Sequence, residues 1–306
     1  MEQAKKAVVT GGAGFIGSHL VKALLERGFE VHAVDNYAGG KREDRHHAAA
    51  VYHEVDVRDT QKLTEIFAGA KYVFHEAALP RVQYSLEKPV ETNDVNVNGT
   101  LSALVAARNA KVEKFIYAAS GGSVYGDPKT MPFTESMAAH PISPYGLQKH
   151  MGELYSRLFS DVYGLSTVCM RYFNVYGPLA DPSGAYALVI GKFIKQRQEG
   201  GPMTITGDGT QTRDFTHVYD IVRANILAAE SGTVGKGEMI NIGAGRPASV
   251  NKVAELIGGP VEYVPARLEP HDAYADNSLA KKLIGWEPQI GLEEGIAELK
   301  KLSGLA

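Results

Sequence analysis

At 306 residues the chain is long for a single hydrophobic core, so it should form either one large α/β domain with an appended lobe or two domains. A composition of 44% apolar and 22% charged residues excludes a mostly disordered chain, and a net charge of −3 gives no basic face of the kind that phosphate-driven nucleic-acid binding needs. Cys169 is the only cysteine, which rules out intramolecular disulfides and suits a reducing cytoplasm, and no apolar stretch is long enough for a signal peptide or a membrane span.

The first predicted strand, 7–10, runs into Thr10-Gly11-Gly12-Ala13-Gly14-Phe15-Ile16-Gly17 and then a helix over 16–26. Glycines at 11, 14 and 17 serve a tight turn, a close approach of backbone to pyrophosphate and close packing of helix on sheet, with the helix N-terminus facing the phosphate charge. A second strand, 30–34, is followed by Asp35, eighteen residues after Gly17, placed to bind adenosine ribose hydroxyls and to repel the extra phosphate of NADP. NAD is therefore the expected cofactor. The basic run Lys41, Arg42, Arg45, His46 and His47 reads as a solvated loop, or alternatively as a cover over the cofactor's adenosine phosphate.

Strands at 51–55 and 72–75 follow, with a helix over 61–67 between them. Asp56 and Val57 end the third strand within reach of an adenine. Ala77 and Ala78 follow the fourth, where small side chains let the chain pass close to a cofactor at the carboxyl edge of the sheet. A helix over 95–109 leads to a strand at 115–119, and a helix over 144–163 to a strand at 166–170. This alternation predicts a doubly wound parallel sheet of Rossmann type.

Ser143 and Pro144 suit the cap and first position of the 144–163 helix, which carries Tyr145 and Lys149 four apart on one face. An ammonium and a positive nicotinamide both favour phenolate, letting the tyrosine act as a base at neutral pH. The same spacing occurs at Tyr37/Lys41, Tyr84/Lys88 and Tyr125/Lys129, but the first and third are interrupted by glycine or proline and the second runs into Pro89. After Arg171 the rhythm changes, with helices expected over 185–198, 218–229, 250–256 and 292–302 and strands at 203–206 and 239–242. Residues 1–172 are read as the NAD-binding domain and 173–306 as a smaller mixed α/β substrate-binding lobe, with parts of 212–258 returning to the sheet.

Together, 10–17, Asp35-Asn36, Asn96-Val97-Asn98-Gly99-Thr100, Val124-Tyr125-Gly126, 145–149 and Arg171-Tyr172-Phe173-Asn174 resemble the extended short-chain dehydrogenase/reductase family. Within it, 78–85, 181–190 and Thr212-Arg213-Asp214-Phe215 look like the UDP-glucose and UDP-N-acetylglucosamine 4-epimerases. The resemblance implies that Tyr145 is the acid/base and Lys149 its partner and ribose ligand. It places Phe15, Ile16, Asn36, Leu79, Asn96 and Phe173 beside NAD, and gives Asn174, Arg213 and Arg267 to the UDP-sugar. Many relatives carry Ser or Thr where this chain has Gly121, so Ser120 or Ser123 should supply that hydroxyl, with Ser120 favoured. The residue that faces the sugar's 2-substituent is Ala273 or Tyr274, depending on register. The implied activity is 4-epimerisation of a UDP-hexose, with or without an N-acetyl group, by a homodimer paired through 95–109 and 144–163. A UDP-glucuronate epimerase or decarboxylase and a non-catalytic NAD-binding protein are the alternatives, and no metal, nucleic acid or membrane is implied. Dehydratases and decarboxylases of the family place a carboxylate at 120–123, where this chain has Ser-Gly-Gly-Ser.

Overall fold

The computed structural model describes residues 4–127, 130–182, 188–266 and 272–305. Its strands of more than two residues are β1 (Lys6–Thr10), β2 (Glu30–Asp35), β3 (Val51–Glu54), β4 (Ala70–His75), β5 (Lys114–Ser120), β6 (Thr167–Tyr172), β7 (Met203–Thr206), β8 (Lys236–Ile242) and β9 (Val261–Val264). The principal helices are α1 (Phe15–Glu26), α2 (Thr60–Phe67), α3 (Gly99–Asn109), α4 (Pro144–Tyr163), α5 (Val189–Gln198), α6 (Val218–Glu230), α7 (Val250–Ile257), α8 (Ser278–Ile284) and α9 (Leu292–Leu302).

Seven strands form one parallel sheet in the order β8-β6-β5-β4-β1-β2-β3. The chain winds outward from β1 through β2 to β3, then returns to β4 and winds the other way, so the topological switch lies between β1 and β4. The carboxyl edge of such a sheet opens a crevice at that point. Both faces are covered, which explains why the central strands read as unbroken apolar runs rather than as alternating ones. One face packs Leu20, Val21 and Leu24 of α1 with Ile221 and Ala224 of α6, together with Ile284 and Trp286. The other packs Leu63 and Phe67 of α2 with Ala103 and Leu104 of α3 and Phe159 of α4.

β8 and α6 complete this sheet although they follow the first part of the lobe. So does Trp286, which is fully buried and whose Nε1 donates to Asp220 O at 2.9 Å. The lobe has its own core, including Ile190, Phe193, Met203, Ile205, Val253, Ile257 and Ile296, around the parallel pair β7–β9. Single-turn helices at Val82–Glu87, Pro89–Asn93 and Gly121–Tyr125 are too short to show a period in sequence. No described helix is long and apolar enough to cross a membrane.

Candidate active site

β1 delivers the chain to Gly11, whose φ of +68° turns it away from the sheet; the Gly11 N–H donates to Val34 O at 2.7 Å. A Cβ on Gly11 would stand 2.8 Å from Ala77 N, and one on Gly17 only 2.1 Å from Gly11 O, so the turn admits no side chain at either place. α1 starts at Gly14 with no side chain capping it, leaving the first-turn N–H groups of Phe15, Ile16 and Gly17 to face an anion. At the end of β2, Asp35 accepts from Ala13 N at 3.1 Å and Tyr37 N at 2.9 Å, one bond per oxygen, which leaves a lone pair on each for a ribose hydroxyl. Asn36 donates to Asp56 at 2.9 Å. The Arg58 guanidinium holds Asp56 well below the usual carboxylate range, so that carboxylate is already engaged in an ion pair. Val57 lies buried beneath Gly99.

The basic run is not the solvated loop it resembles. Arg45 is only 7% exposed; its Nη2 donates to Leu179 O at 2.7 Å, and its Nε has no partner among the described residues. His47 Nε2 donates to Ser18 O at 3.0 Å, and His19 Nε2 to Pro178 O at 2.8 Å. This loop and α1 therefore hold the turn at Pro178 and Leu179, where the chain enters the lobe, across the adenosine end of the crevice. A run of like charges gives no local sign that one member is buried by a carbonyl 134 residues away.

Beyond β4 the hydrogen bonds fix a single direction. Thr100 Oγ1 donates to Asn96 O at 2.7 Å, so it accepts from His75 Nε2 at 3.1 Å; His75 Nδ1 is then the acceptor for Thr10 Oγ1 at 2.8 Å. Burial pushes the imidazole down to about 3, with Lys149 adding to the effect, so His75 is neutral. Asn96 in turn takes Leu79 N at 2.8 Å and donates to Gln148 Oε1 at 2.9 Å, tying the segment at Ala77, Ala78 and Leu79 to α4. Neither His75 nor Gln148 stands out in the sequence as a site residue.

α4 is capped by Ser143, whose Oγ accepts from Gly146 N at 3.1 Å, and it presents Tyr145 and Lys149, both nearly buried. Lys149 Nζ donates to Ala118 O at 2.7 Å above the ring of Tyr117. Burial lowers the ammonium to about 8, against the pull of Glu76 and Glu153. Burial also pushes the Tyr145 phenol up to about 12, and a hydrogen bond with Ser120 and the charge of Arg81 offset this only in part. Among the protein groups, Ser120 and Arg81 lower this phenol, and Lys149 Nζ is directed at Ala118 O.

Of the two serines, Ser120 is the one whose hydroxyl lowers the Tyr145 phenol. Gly121 between them has a physical reason: a Cβ there would sit 2.1 Å from Cε2 of Phe173. Phe173 is 1% exposed, packed with Tyr125, Phe133, Ala273 and Ala275, which leaves it almost no surface to offer a cofactor. Asn174 follows at φ +20°, a conformation asparagine tolerates, and is partly exposed. Arg213 Nη1 donates to Thr212 O at 2.7 Å, and Arg213 pairs with Ala248. Arg267 lies outside the described residues. Ala273 and Ala275 pack in the Phe173 cluster; Tyr274 between them, together with Ala275, lines a cavity of about 540 Å³ with Pro132, Arg246 and Pro288.

A sequence model described as the NAD dependent epimerase/dehydratase family matches residues 7–243. A putative UDP-glucose 4-epimerase of Methanocaldococcus jannaschii is 39% identical, over 94% of this chain and 95% of its own length. The crystal structure of a UDP-glucose 4-epimerase with UDP-glucose from Thermotoga maritima superposes with a TM-score of 0.91 at 38% identity, covering 97% of this chain and 99% of that one. A UDP-N-acetylglucosamine 4-epimerase from Methanobrevibacter ruminantium, in complex with UDP-N-acetylmuramic acid, gives a TM-score of 0.92 at 37% identity, with 98% of both chains covered. Other sugars occur among the relatives, including a UDP-glucuronate 4-epimerase of Thermodesulfobacterium geofontis at 36% identity over 94% of this chain and 93% of its own.

Proposed function

Because the chain belongs to the NAD-dependent epimerase/dehydratase family, we propose that it is a UDP-hexose 4-epimerase acting on both plain and N-acetylated sugars. The observation that carries this reading is the Ser120–Tyr145 hydroxyl pair beside Lys149, in a segment, 120–123, that has no carboxylate to drive elimination. The dinucleotide fits the residues present, since the side-chain-free turn at Gly11, Gly14 and Gly17 and the uncapped start of α1 suit a pyrophosphate, and Asp35 keeps lone pairs for ribose. When bound, NAD supplies the hydride acceptor and a positive charge beside the phenol.

The residues of this chain then have the following roles. Ser120 orients the sugar's 4-hydroxyl toward Tyr145, and Tyr145 Oη takes its proton as C4 is oxidised. Lys149 holds positive charge behind the phenol and binds ribose. Asn174, Arg213 and Arg267 hold the UDP while the 4-keto sugar turns over to offer the opposite face of C4 to hydride, and Tyr145 then returns the proton to O4. Ala273 is assigned to face the 2-substituent, because it is buried with Ala275 in the cluster around Phe173, whereas Tyr274 is only partly buried and is not part of that cluster. Its methyl group leaves space for an acetamido group.

The active form is proposed to be a homodimer paired through α3 and α4, since Leu147, Leu154, Leu158 and Val162 leave a stripe along α4 that is at least 48% exposed. The test is to incubate the purified protein, without added cofactor, with UDP-glucose, UDP-galactose, their N-acetyl forms and UDP-glucuronate, and to separate the products. Interconversion of the hexose pairs, lost in Tyr145→Phe while NAD stays bound, supports the reading. Turnover confined to UDP-glucuronate refutes it.

A further inference from the structure

Glu76 is unused by the chemistry above, yet it stands inside the site. Its N–H donates to Thr10 O at 3.1 Å, placing it directly across from the Gly11 turn, and its neighbour Ala77 is the residue that Gly11 must clear. Its side chain is half-buried, and Oε1 accepts from Tyr172 Oη at 2.7 Å. Asn225 orients that phenol: its Nδ2 donates to Tyr172 Oη at 2.7 Å and to Ile221 O at 2.9 Å. Asn225 Oδ1, at 2.9 Å, competes for the phenol proton, but a carboxylate is the stronger acceptor. The chain of bonds from α6 through β6 thus ends on Glu76 and favours its charged form. Burial opposes this and raises the carboxyl to about 7, while Tyr172 and Lys149 pull it down. Across the crevice the same charge acts on both Lys149 and Tyr145.

We propose that Glu76 sets the redox balance of the bound cofactor: its negative charge, held beside the dinucleotide turn and facing the Tyr145–Lys149 pair, favours the oxidised, positively charged nicotinamide over the reduced, neutral one. The inference rests on the NAD-dependent epimerase reading. In that reaction two electrons leave C4 with its hydrogen as hydride, while the hydroxyl proton goes to Tyr145. Both return to the same carbon and oxygen, so no external oxidant or reductant takes part. An enzyme that loses its keto-sugar before the return is left with reduced cofactor and stops. A charge that disfavours the reduced form shortens the interval in which this can happen. One charge acting across a partly solvated crevice changes the balance on the order of tenfold.

The test is the midpoint potential of the cofactor in purified holoenzyme, equilibrated with a viologen dye couple and read by absorbance of the reduced nicotinamide. Glu76→Gln should raise the ratio of reduced to oxidised cofactor about tenfold at a fixed potential, which is about 30 mV for a two-electron couple. Glu76→Asp, which keeps the charge, should stay near wild type. Tyr172→Phe, which removes the donor, should shift the midpoint in the same direction as Glu76→Gln but by less. A Glu76→Gln midpoint equal to that of wild type overturns the proposal, and so does a Glu76→Asp shift as large as that of Glu76→Gln. Should Glu76→Gln fail to fold with its cofactor, an unshifted Tyr172→Phe overturns it instead. Failure of the epimerase reading looks different: wild-type holoenzyme would turn over none of the hexose pairs, whatever its midpoint.

Discussion

Gly121→Ser would restore the hydroxyl that many relatives carry, and the structure predicts that it harms this enzyme. The backbone poses no obstacle, since Gly121 does not have a positive φ. The obstacle is Phe173, whose Cε2, Cζ and Cδ2 would lie 2.1, 2.4 and 2.5 Å from the new Cβ. That ring is 1% exposed and enclosed by Tyr125 and Phe133, so it has no open space to move into. Overpacking at such a site costs about 2 kcal/mol. Urea denaturation of holoenzyme should show this loss, and turnover should fall, because a displaced Phe173 disturbs the strand end that carries Ser120. Phe173→Leu removes the two nearest ring atoms, so in the double variant the losses should fall short of additive by at least about 1 kcal/mol. A Gly121→Ser enzyme as stable as wild type, or strict additivity with Phe173→Leu, would refute the steric argument.

Lys149→Met removes a positive charge from beside a phenol that burial already holds near 12, so the acid limb of the kcat/KM profile should move to higher pH and activity at pH 7 should drop; an unmoved limb would take Lys149 out of this role. Ala273→Tyr should abolish turnover of UDP-N-acetylglucosamine and spare UDP-glucose by steric exclusion, whereas admission of acetylated sugars only after Tyr274→Ser would show that Tyr274 is the gate. Ser120→Ala should lower kcat more than Ser123→Ala, because Ser120 lowers the Tyr145 phenol; full turnover in both single variants and in the double variant would exclude a serine role. Paired Leu154→Glu and Leu158→Glu substitutions should give a monomer by sedimentation, since they put charge on the exposed stripe of α4, and an unchanged sedimentation coefficient would move the interface elsewhere.

The parts of the site legible in the sequence are those whose causes are local. The glycine turn is visible because glycines 11, 14 and 17 sit between an apolar run and a helical period, and α4 because Ser143 and Pro144 mark its start. What is not legible depends on partners distant in the chain. The sequence returns parts of 212–258 to the sheet but does not say which strand they join: β8 pairs with β6, and nothing within its own residues announces that neighbour. The absence of a hydroxyl at 121 follows from a ring at 173. The burial of Arg45 follows from the carbonyl of Leu179, and the environment of Glu76 from Tyr172 and Asn225. The gate register is undecided along 267–276 in sequence, because it depends on how Ala273 and Ala275 pack on Phe173, a ring about a hundred residues earlier in the chain.

Trp286 gives the molecule a schedule for its synthesis. The indole fills the face of the sheet beneath α6, and Asp220 on that helix accepts from Gln289 N and Ile290 N at 3.0 Å, so the nucleotide-binding core is sealed by residues far beyond the last strand. A ribosome that has just finished β8 has made every strand of the sheet but has left a tryptophan-sized apolar hollow open to water. Translation at roughly 5–20 residues per second leaves it open for several seconds before the closing segment emerges. During that interval the nascent chain presents the kind of surface that chaperones bind, and a chain released after β8 would keep that hollow permanently.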